Sequence, residues 1–137
     1  MSVAEVYAPQ PLPMSSVLVV EDERKSRARL CEQIRQLGIE PMEAATGFEA
    51  IRVAGERRPQ LIFLDGLLPQ MHGFEVSRVI RRLDALYRPR IVFMTGIYKN
   101  LRYHNDAKLK YGVDDYVIKP LGDDVVARLL RHQMALS

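Results

Sequence analysis

The chain has 137 residues, of which 47% are hydrophobic and 27% are charged, a composition that excludes fibrous, disordered and two-domain proteins. The net charge of +3, from 20 Lys and Arg against 17 Asp and Glu, is too small and too mixed to indicate a nucleic-acid partner. The single cysteine, Cys31, excludes a disulfide framework and favours a reducing, cytoplasmic compartment. The sequence contains no run of about 20 apolar residues, so we expect no membrane contact.

The first 15 residues have no helical or strand period, and they carry prolines at alternate positions, Pro9, Pro11 and Pro13. We interpret residues 1–15 as a flexible leader and residues 16–137 as one folded domain. The folded part begins with a continuous apolar run over Val17–Val20, which is typical of a strand buried on both faces. Three acids follow this strand directly, at positions 21–23.

The next segment predicts a helix, because Leu30, Ile34 and Leu37 are spaced four and three residues apart and would form one buried stripe. Gly38 lies where a left-handed C-cap would end this helix. Residues 39–44 predict a weak second strand.

A capping box, formed by Thr46 and by Glu49, predicts the start of a second helix. The side chains on its buried face are Ala50, Ile51 and Ala54. The fully apolar run Leu61–Leu64 then predicts a third strand. This strand also ends in an acid, Asp65.

After a loop that contains Pro69 and Gly73, four apolar residues at helical spacing predict a third helix. They are Val76, Val79, Ile80 and Leu83. The apolar run Ile91–Met94 predicts a fourth strand, which ends at Thr95. The polar, aromatic segment from residue 96 to residue 112 predicts a fourth helix.

A fifth strand is predicted over Tyr116–Ile118, and Lys119 and Pro120 follow it. Apolar residues at helical spacing then predict a fifth helix over residues 123–134. Buried strands that alternate with amphipathic helices predict an α/β fold, a doubly wound five-stranded parallel sheet with five helices and right-handed crossovers.

Polar residues follow the predicted strands at the points where the strands end. Ligands of doubly wound sheets bind at this edge, beside the place where the strand order changes direction. The residues concerned are Glu21, Asp22, Asp65, Thr95 and Lys119. Three carboxylates that converge here would repel one another unless a cation lies among them, and carboxylates with water are the ligands that Mg²⁺ prefers. The sequence therefore predicts a magnesium site.

Phosphoryl transfer suits such a site. An aspartate can act as a nucleophile toward phosphorus, and cations such as Mg²⁺ and Lys119 would neutralise the transferring oxygens. A hydroxyl at Thr95 would donate a hydrogen bond to one of these oxygens. The sequence thus predicts phosphoryl transfer onto the protein itself.

Four motifs give the chain a family resemblance. Together they resemble the receiver domain of bacterial two-component response regulators, and the resemblance runs from about residue 16 to residue 134. They are Val17–Glu23, Leu61–Asp65 with Pro69 and Gly73, Met94–Gly96, and Asp115–Pro120. The resemblance implies a flavodoxin-like fold and a signalling switch rather than a conventional enzyme.

The resemblance also implies roles for single residues. Asp65 would accept a phosphoryl group from a phosphohistidine on a sensor histidine kinase or a phosphotransfer protein. Asp22 and Asp65 would bind Mg²⁺ directly, Glu21 would bind it through water, and the backbone carbonyl of Leu67 would add one oxygen. Lys119 would pair with the phosphoryl oxygens, and its bond to Pro120 would be cis.

Thr95 and Tyr116 resemble the switch pair of the family, in which the hydroxyl moves toward the phosphoryl group and the ring turns inward. The output would be a population shift in the fourth helix, the fifth strand and the fifth helix. That surface would contact an output domain or a partner protein. A symmetric homodimer through it is left open by the sequence.

Several positions depart from the family pattern, among them Leu68 before Pro69 and His72, which stands where a small acidic or amide residue is more common. Leu67 and Ile97 are apolar where family side chains line the path of the hydrolytic water, so we expect slow self-dephosphorylation. Leu67 also stands where an aspartyl-phosphate phosphohydrolase would carry its second acid, which disfavours that class. A phosphorylation-independent interaction module is the alternative, although Asp65 and Lys119 are both retained.

The segment 96–112 is somewhat longer than is typical of the family and interleaves aromatic and basic residues. A solvated helix face is the leading interpretation, partner binding is the second, and direct nucleic-acid binding is the least favoured. The three histidines, His72, His104 and His132, lack the spacing of metal ligands. Of these, His72 stands close enough to the predicted site to modulate it.

Overall fold

The computed structural model describes residues 16–96 and 113–136. The described residues form nine elements, which in chain order are β1 (Val17–Val20), α1 (Arg24–Arg35), β2 (Met42–Ala44), α2 (Gly47–Arg57), β3 (Leu61–Asp65), α3 (Gly73–Arg81), β4 (Arg90–Thr95), β5 (Asp115–Ile118) and α4 (Asp123–Leu136). The helix predicted as the fifth is therefore α4. The predicted leader lies outside the described residues, and so does the segment predicted as the fourth helix from residue 97, the position of Ile97, to residue 112.

The five strands form one parallel sheet in the order β2-β1-β3-β4-β5. This confirms the predicted fold class. The chain starts in β1, runs outward to β2, and returns to the other side of β1 with β3. The strand order therefore changes direction between β1 and β3, and a crevice opens beyond the carboxyl ends of these two strands.

Helices cover both faces of the sheet, and each face has its own core. Successive strand side chains point to opposite faces, so Leu18 and Val20 of β1 pack in the core beneath α2 and α3. Val17 and Val19 pack in the core beneath α1 and α4, which contribute residues such as Ile34 and Val126. Burial on both faces explains the continuous apolar runs of β1 and β3.

Helix α2 begins as the capping box predicts. The hydroxyl of Thr46 accepts a hydrogen bond from the backbone N–H of Glu49 at 3.1 Å. The carboxylate of Glu49 accepts in return from the N–H of Ala45, one residue before the N-cap, at 3.4 Å. Ala50 and Ala54 are buried as predicted, while Ile51 is only partly buried and Val53 takes a buried place on the same helix.

The prediction of a buried side chain is wrong at two positions. Leu37 and Leu83 are 43% and 40% exposed, because α1 ends at Arg35 and α3 ends at Arg81, before either leucine. Gly38 does adopt the left-handed conformation, with φ of 87°. The second strand is shorter than predicted and covers Met42–Ala44 only.

In the part of the chain that the structure describes, no helix combines the length and the apolar character that crossing a bilayer requires.

Candidate functional site

The strand ends place the predicted site residues at one edge of the sheet. Glu21 follows β1 and its N–H donates to the carbonyl of Ala44 at 3.0 Å. Asp65 is the last residue of β3 and Thr95 is the last residue of β4. Lys119 follows β5, and its N–H donates to the carbonyl of Thr95 at 2.7 Å. Backbone hydrogen bonds thus continue past the ends of the strands and fix the residues that carry the functional side chains.

An acidic cluster lies at the crevice between β1 and β3. One carboxylate oxygen from each of Glu21, Asp22 and Asp65 lies within 4.8 Å of the others. Glu21 and Asp65 are 2% and 3% exposed, whereas Asp22 is exposed. The cluster therefore has a dry side and a side that is open to water.

Lys119 reaches into this cluster from β5. Its ammonium nitrogen lies 3.0 Å from Oε1 of Glu21 and 3.3 Å from Oδ1 of Asp65. The backbone N–H of Leu67 also donates to Oδ1 of Asp65, at 3.1 Å. The structure thus brings together four of the predicted site residues: Glu21, Asp22, Asp65 and Lys119.

The pKa values of the two buried carboxyl groups are shifted in opposite directions. Burial, together with the neighbouring carboxyl group of Asp65, raises the pKa of Glu21 to about 8, although Lys119 lowers it. Burial also raises the pKa of Asp65, but the hydrogen bonds from Glu21, from the Leu67 N–H and from Lys119 outweigh burial and lower it. In the absence of metal, Glu21 therefore holds a proton and Asp65 is the ionised carboxylate.

The ammonium of Lys119 stays charged. Burial lowers the pKa of this group, but its hydrogen bonds and its attraction to Glu21 and Asp65 outweigh burial and raise the pKa. A charged ammonium beside an ionised Asp65 makes this site suitable for binding an oxyanion next to a carboxylate.

The residues fit a magnesium ion. Oε2 of Glu21 is buried and has no hydrogen-bond partner among the described residues. A buried oxygen in this state lacks a cation or a water that would satisfy it. Mg²⁺ binds through one or two carboxylates and keeps several waters, and this cluster offers such a set of ligands on its open side.

The predicted switch residues lie on the neighbouring strands β4 and β5. Thr95 is 2% exposed at the end of β4. Tyr116 is half-buried on β5, and its ring stacks on the ring of Phe93 with centroids 5.7 Å apart. Phe93 and Tyr116 are register partners, as are Thr95 and Ile118. The side chain of Leu67 is 56% exposed beside Asp65, and the Lys119–Pro120 bond is cis as predicted.

Sequence reasoning missed several contacts around the site. The Nδ1 atom of His72 accepts from the N–H of Phe74 at 3.2 Å and so caps helix α3, a role that its position before Gly73 could have suggested. Loss of water around the ring lowers the pKa of His72. Of the other two histidines, His104 lies outside the described residues and His132 is exposed on α4.

A row of rings connects the start of α3 to β5. The ring of His72 lies 4.9 Å from that of Phe74, and Phe74 lies 4.4 Å from Phe93, which stacks on Tyr116. Gly66 packs closely against the ring of Phe93, because a Cβ added at Gly66 would lie 2.5 Å from that ring. The continuous apolar run of β4 predicts a buried Phe93 but not this row.

Helix α1 holds the backbone of the first acids. The guanidinium of Arg27 donates to the carbonyl of Glu21 at 2.9 Å and pairs with Glu43 of β2 at 3.1 Å. No local pattern in the sequence indicates this contact, because Glu43 lies on a different element.

Acids, a hydroxyl and a lysine at one edge of a doubly wound parallel sheet define an α/β protein with a cation site beside an oxyanion site. Residues 17–131 match the family model described as the response regulator receiver domain. The chain therefore belongs to the response regulator receiver domain family of two-component signal transduction.

Known proteins that resemble this chain fit the assignment. Transcriptional regulatory protein AfsQ1 of Streptomyces coelicolor is 36% identical over 118 residues, which cover 86% of this chain and 50% of AfsQ1. Phosphate regulon transcriptional regulatory protein PhoB of Pseudomonas aeruginosa is 32% identical over 115 residues, which cover 83% of this chain and 49% of PhoB. The chain spans about half the length of the curated relatives it matches.

A solved structure is similar in both fold and sequence. The receiver domain of the sensor histidine kinase PA1611 from Pseudomonas aeruginosa has a TM-score of 0.76 and 28% identity, covering 87% of this chain and 96% of that domain. That structure holds a magnesium ion in its active-site cleft. Receiver domains are signalling domains rather than conventional enzymes, and they bind Mg²⁺ at an acidic pocket, which here corresponds to the cluster of Glu21, Asp22 and Asp65.

Proposed function

We propose that this chain is a phosphorylation-dependent switch that accepts a phosphoryl group on Asp65. The donor is a phosphohistidine on a sensor histidine kinase or a phosphotransfer protein. The observation that carries the proposal is the ammonium of Lys119, 3.3 Å from Oδ1 of an ionised Asp65 and next to an acidic cluster. A carboxylate oxygen of Asp65 attacks phosphorus, the phosphorus–nitrogen bond breaks, and the imidazole leaves with the electron pair.

Each site residue has a separate task in this reaction. Asp22 and Asp65 would hold Mg²⁺ directly, Glu21 would hold it through water, and the carbonyl of Leu67 would supply one more oxygen. The bound ion would neutralise charge on the phosphoryl oxygens. Lys119 pairs with one phosphoryl oxygen, and this replaces its present contact with Asp65.

The hydroxyl of Thr95 donates to another phosphoryl oxygen, and Tyr116 turns inward behind it. The surface formed by the predicted fourth helix, β5 and α4 then changes and controls an output domain or a partner protein. A homodimer through this surface is part of the proposal, and direct contact with nucleic acid is not. We place the switch, residues 16–137, in the cytoplasm, which suits the buried free thiol of Cys31.

The test is an intact mass measured after incubation with phosphoramidate, with and without Mg²⁺, beside an Asp65→Asn variant. We expect a gain of one phosphoryl group that requires Mg²⁺ and is absent in the variant. A folded protein that binds Mg²⁺ and gains no mass would overturn the proposal and favour the phosphorylation-independent interaction module.

A further inference from the structure

Helix α1 contacts the loop that carries Lys119 through the side chain of Gln33. The Nε2 atom of Gln33 donates to the carbonyl of Leu121 at 2.9 Å and to Oδ1 of Asp123 at 2.7 Å. Leu121 lies two residues after Lys119, and Asp123 is the first residue of α4. One amide group therefore ties α1 to the loop 119–123 at two points.

This loop is held differently on its two sides. On the side of the sheet, the N–H of Lys119 donates to the carbonyl of Thr95 at 2.7 Å. On the side of α1, a cavity of about 280 Å³ separates the loop from the helix. Its walls include Arg29, Gln33, Lys119 and Pro120. The side chain of Leu121 packs in the core beneath α1 and α4. Beside the cavity, the two hydrogen bonds of Gln33 hold the loop against α1.

The acids of the site are held by a different contact. Arg27 donates to the carbonyl of Glu21, a contact in which Gln33 takes no part. Helix α1 thus contacts the anionic and the cationic sides of the site through two separate side chains. Loss of one contact should leave the other side in place.

We propose that Gln33 is a positioning residue for Lys119, an inference that rests on the proposed function. The lysine stem is long and flexible, so the place of its ammonium depends on where the loop backbone is held. A reacting group that is displaced by about 1 Å loses up to about a hundredfold in rate. Gln33 therefore supports the rate of phosphoryl transfer without touching the reacting atoms.

The test compares Gln33→Met with Gln36→Met, the same change at the exposed C-cap residue directly after α1. Phosphorylation of Asp65 by phosphoramidate is followed by intact mass at saturating Mg²⁺. We expect Gln33→Met to lower the maximal rate about tenfold, with the half-saturating donor concentration unchanged. Gln36→Met keeps the wild-type rate, and Gln33→Lys, which retains a donor, restores most of it.

Two further readouts separate positioning from a general structural effect. The Mg²⁺ affinity of Gln33→Met, measured by titration calorimetry, stays within about twofold of wild type, because the acids are held by Arg27. Amide hydrogen exchange, measured without any phosphodonor, becomes faster at Lys119 and Val126 in Gln33→Met but not in Gln36→Met.

The outcomes distinguish the two proposals. If Gln33→Met matches Gln36→Met in amide exchange, or loses Mg²⁺ affinity as strongly as it loses rate, the role of Gln33 is overturned. If the wild-type chain takes no phosphoryl group at all, the proposed function fails instead. The exchange measurement still decides whether Gln33 holds the loop in that case.

Discussion

The ammonium of Lys119 lies closer to Glu21 than to Asp65, at 3.0 Å against 3.3 Å. Of the two carboxyl groups, Glu21 is also the one whose pKa is raised, to about 8, mainly by burial. The lysine therefore contacts a proton-holding acid on one side and an ionised acceptor on the other. Removal of that proton leaves two adjacent buried charges and one cation between them.

This arrangement predicts how the stability of the metal-free protein depends on pH. The pKa of Glu21 is higher in the folded protein than its ordinary value of 4.5, so the folded state binds more protons between 4.5 and about 8. Its contribution to the free energy of unfolding is complete below 4.5 and is lost as pH rises through about 8.

Glu21→Gln removes this dependence. At about pH 9 we expect the variant to be more stable than wild type by about 4 kcal/mol, and at about pH 5 we expect the two to be equal. Urea unfolding in the presence of a chelator, at a series of pH values, measures the difference. If the free energies of unfolding of wild type and of Glu21→Gln differed by a constant amount across this pH range, the raised pKa of Glu21 would be contradicted.

Gly73 at the start of α3 has no room for a side chain. A Cβ there would lie 2.5 Å from the carbonyl oxygen of Asp65 and 2.9 Å from Cα of Gly66. We expect Gly73→Ala to lower the free energy of unfolding by about 2 kcal/mol, because backbone atoms must move. Phosphorylation of Asp65 slows with it.

Gly55 is the matched control, since a Cβ on this exposed residue of α2 would meet nothing within 4 Å. Gly55→Ala raises the free energy of unfolding by roughly 0.5–1 kcal/mol, because alanine favours a helix interior. Chemical denaturation of both variants measures the two changes in the free energy of unfolding. Equal changes of the same sign would show that the close contacts at Gly73 do not limit the size of its side chain.

Tyr87 stabilises the connection between α3 and β4 through its hydroxyl. The O–H donates to the carbonyl of Pro59 at 2.6 Å, and the contact is buried. Tyr87→Phe leaves this carbonyl without its partner, and we expect a loss of about 1–2 kcal/mol in the free energy of unfolding. The slope of the free energy of unfolding against denaturant concentration and the phosphorylation rate both stay at wild-type values. A free energy of unfolding equal to that of wild type would contradict this prediction and would mean that water replaces the hydroxyl.

Leu67 bears on the lifetime of the phosphorylated state. Its apolar side chain is exposed next to Asp65, where it offers no hydrogen bond to an attacking water. We expect slow loss of the phosphoryl group from wild type and a several-fold faster loss from Leu67→Asn, followed by intact mass. Leu86→Asn is the control, because Leu86 is 90% exposed and precedes β4, at the opposite end of the sheet. Identical decay in both variants would exclude a role for Leu67.

The strands were predictable because burial on both faces leaves continuous apolar runs, as in Leu61–Leu64. The helix ends were not predictable from the same pattern. After α1, the N–H of Leu37 donates to Ile34 at 3.0 Å, and after α3 the N–H of Leu83 donates to Ile80 at 3.2 Å. These tighter turns carry both leucines out of the buried stripe, and apolar spacing does not report them.

The site residues were predictable because the ends of parallel strands meet at one edge, which brings Asp65 and Lys119 together across 54 positions of sequence, as their numbers show. The supporting contacts were not. Gln33 donates to a backbone carbonyl that is 88 residues away, and a carbonyl leaves no trace in residue type. Strand order and loop path must be known before such a contact can be found.

Phe93 is wedged between two glycines. A Cβ at Gly66 would lie 2.5 Å from its ring, and a Cβ at Gly73 would lie 2.9 Å from the other edge of that ring. The ring of Phe93 occupies the space that a side chain at Gly66 or Gly73 would need. The effects of substitutions at these three positions on the free energy of unfolding are therefore not additive. A smaller residue in place of Phe93 would make room for a side chain at Gly66. It would not make room at Gly73, where a side chain also meets the backbone of Asp65 and Gly66.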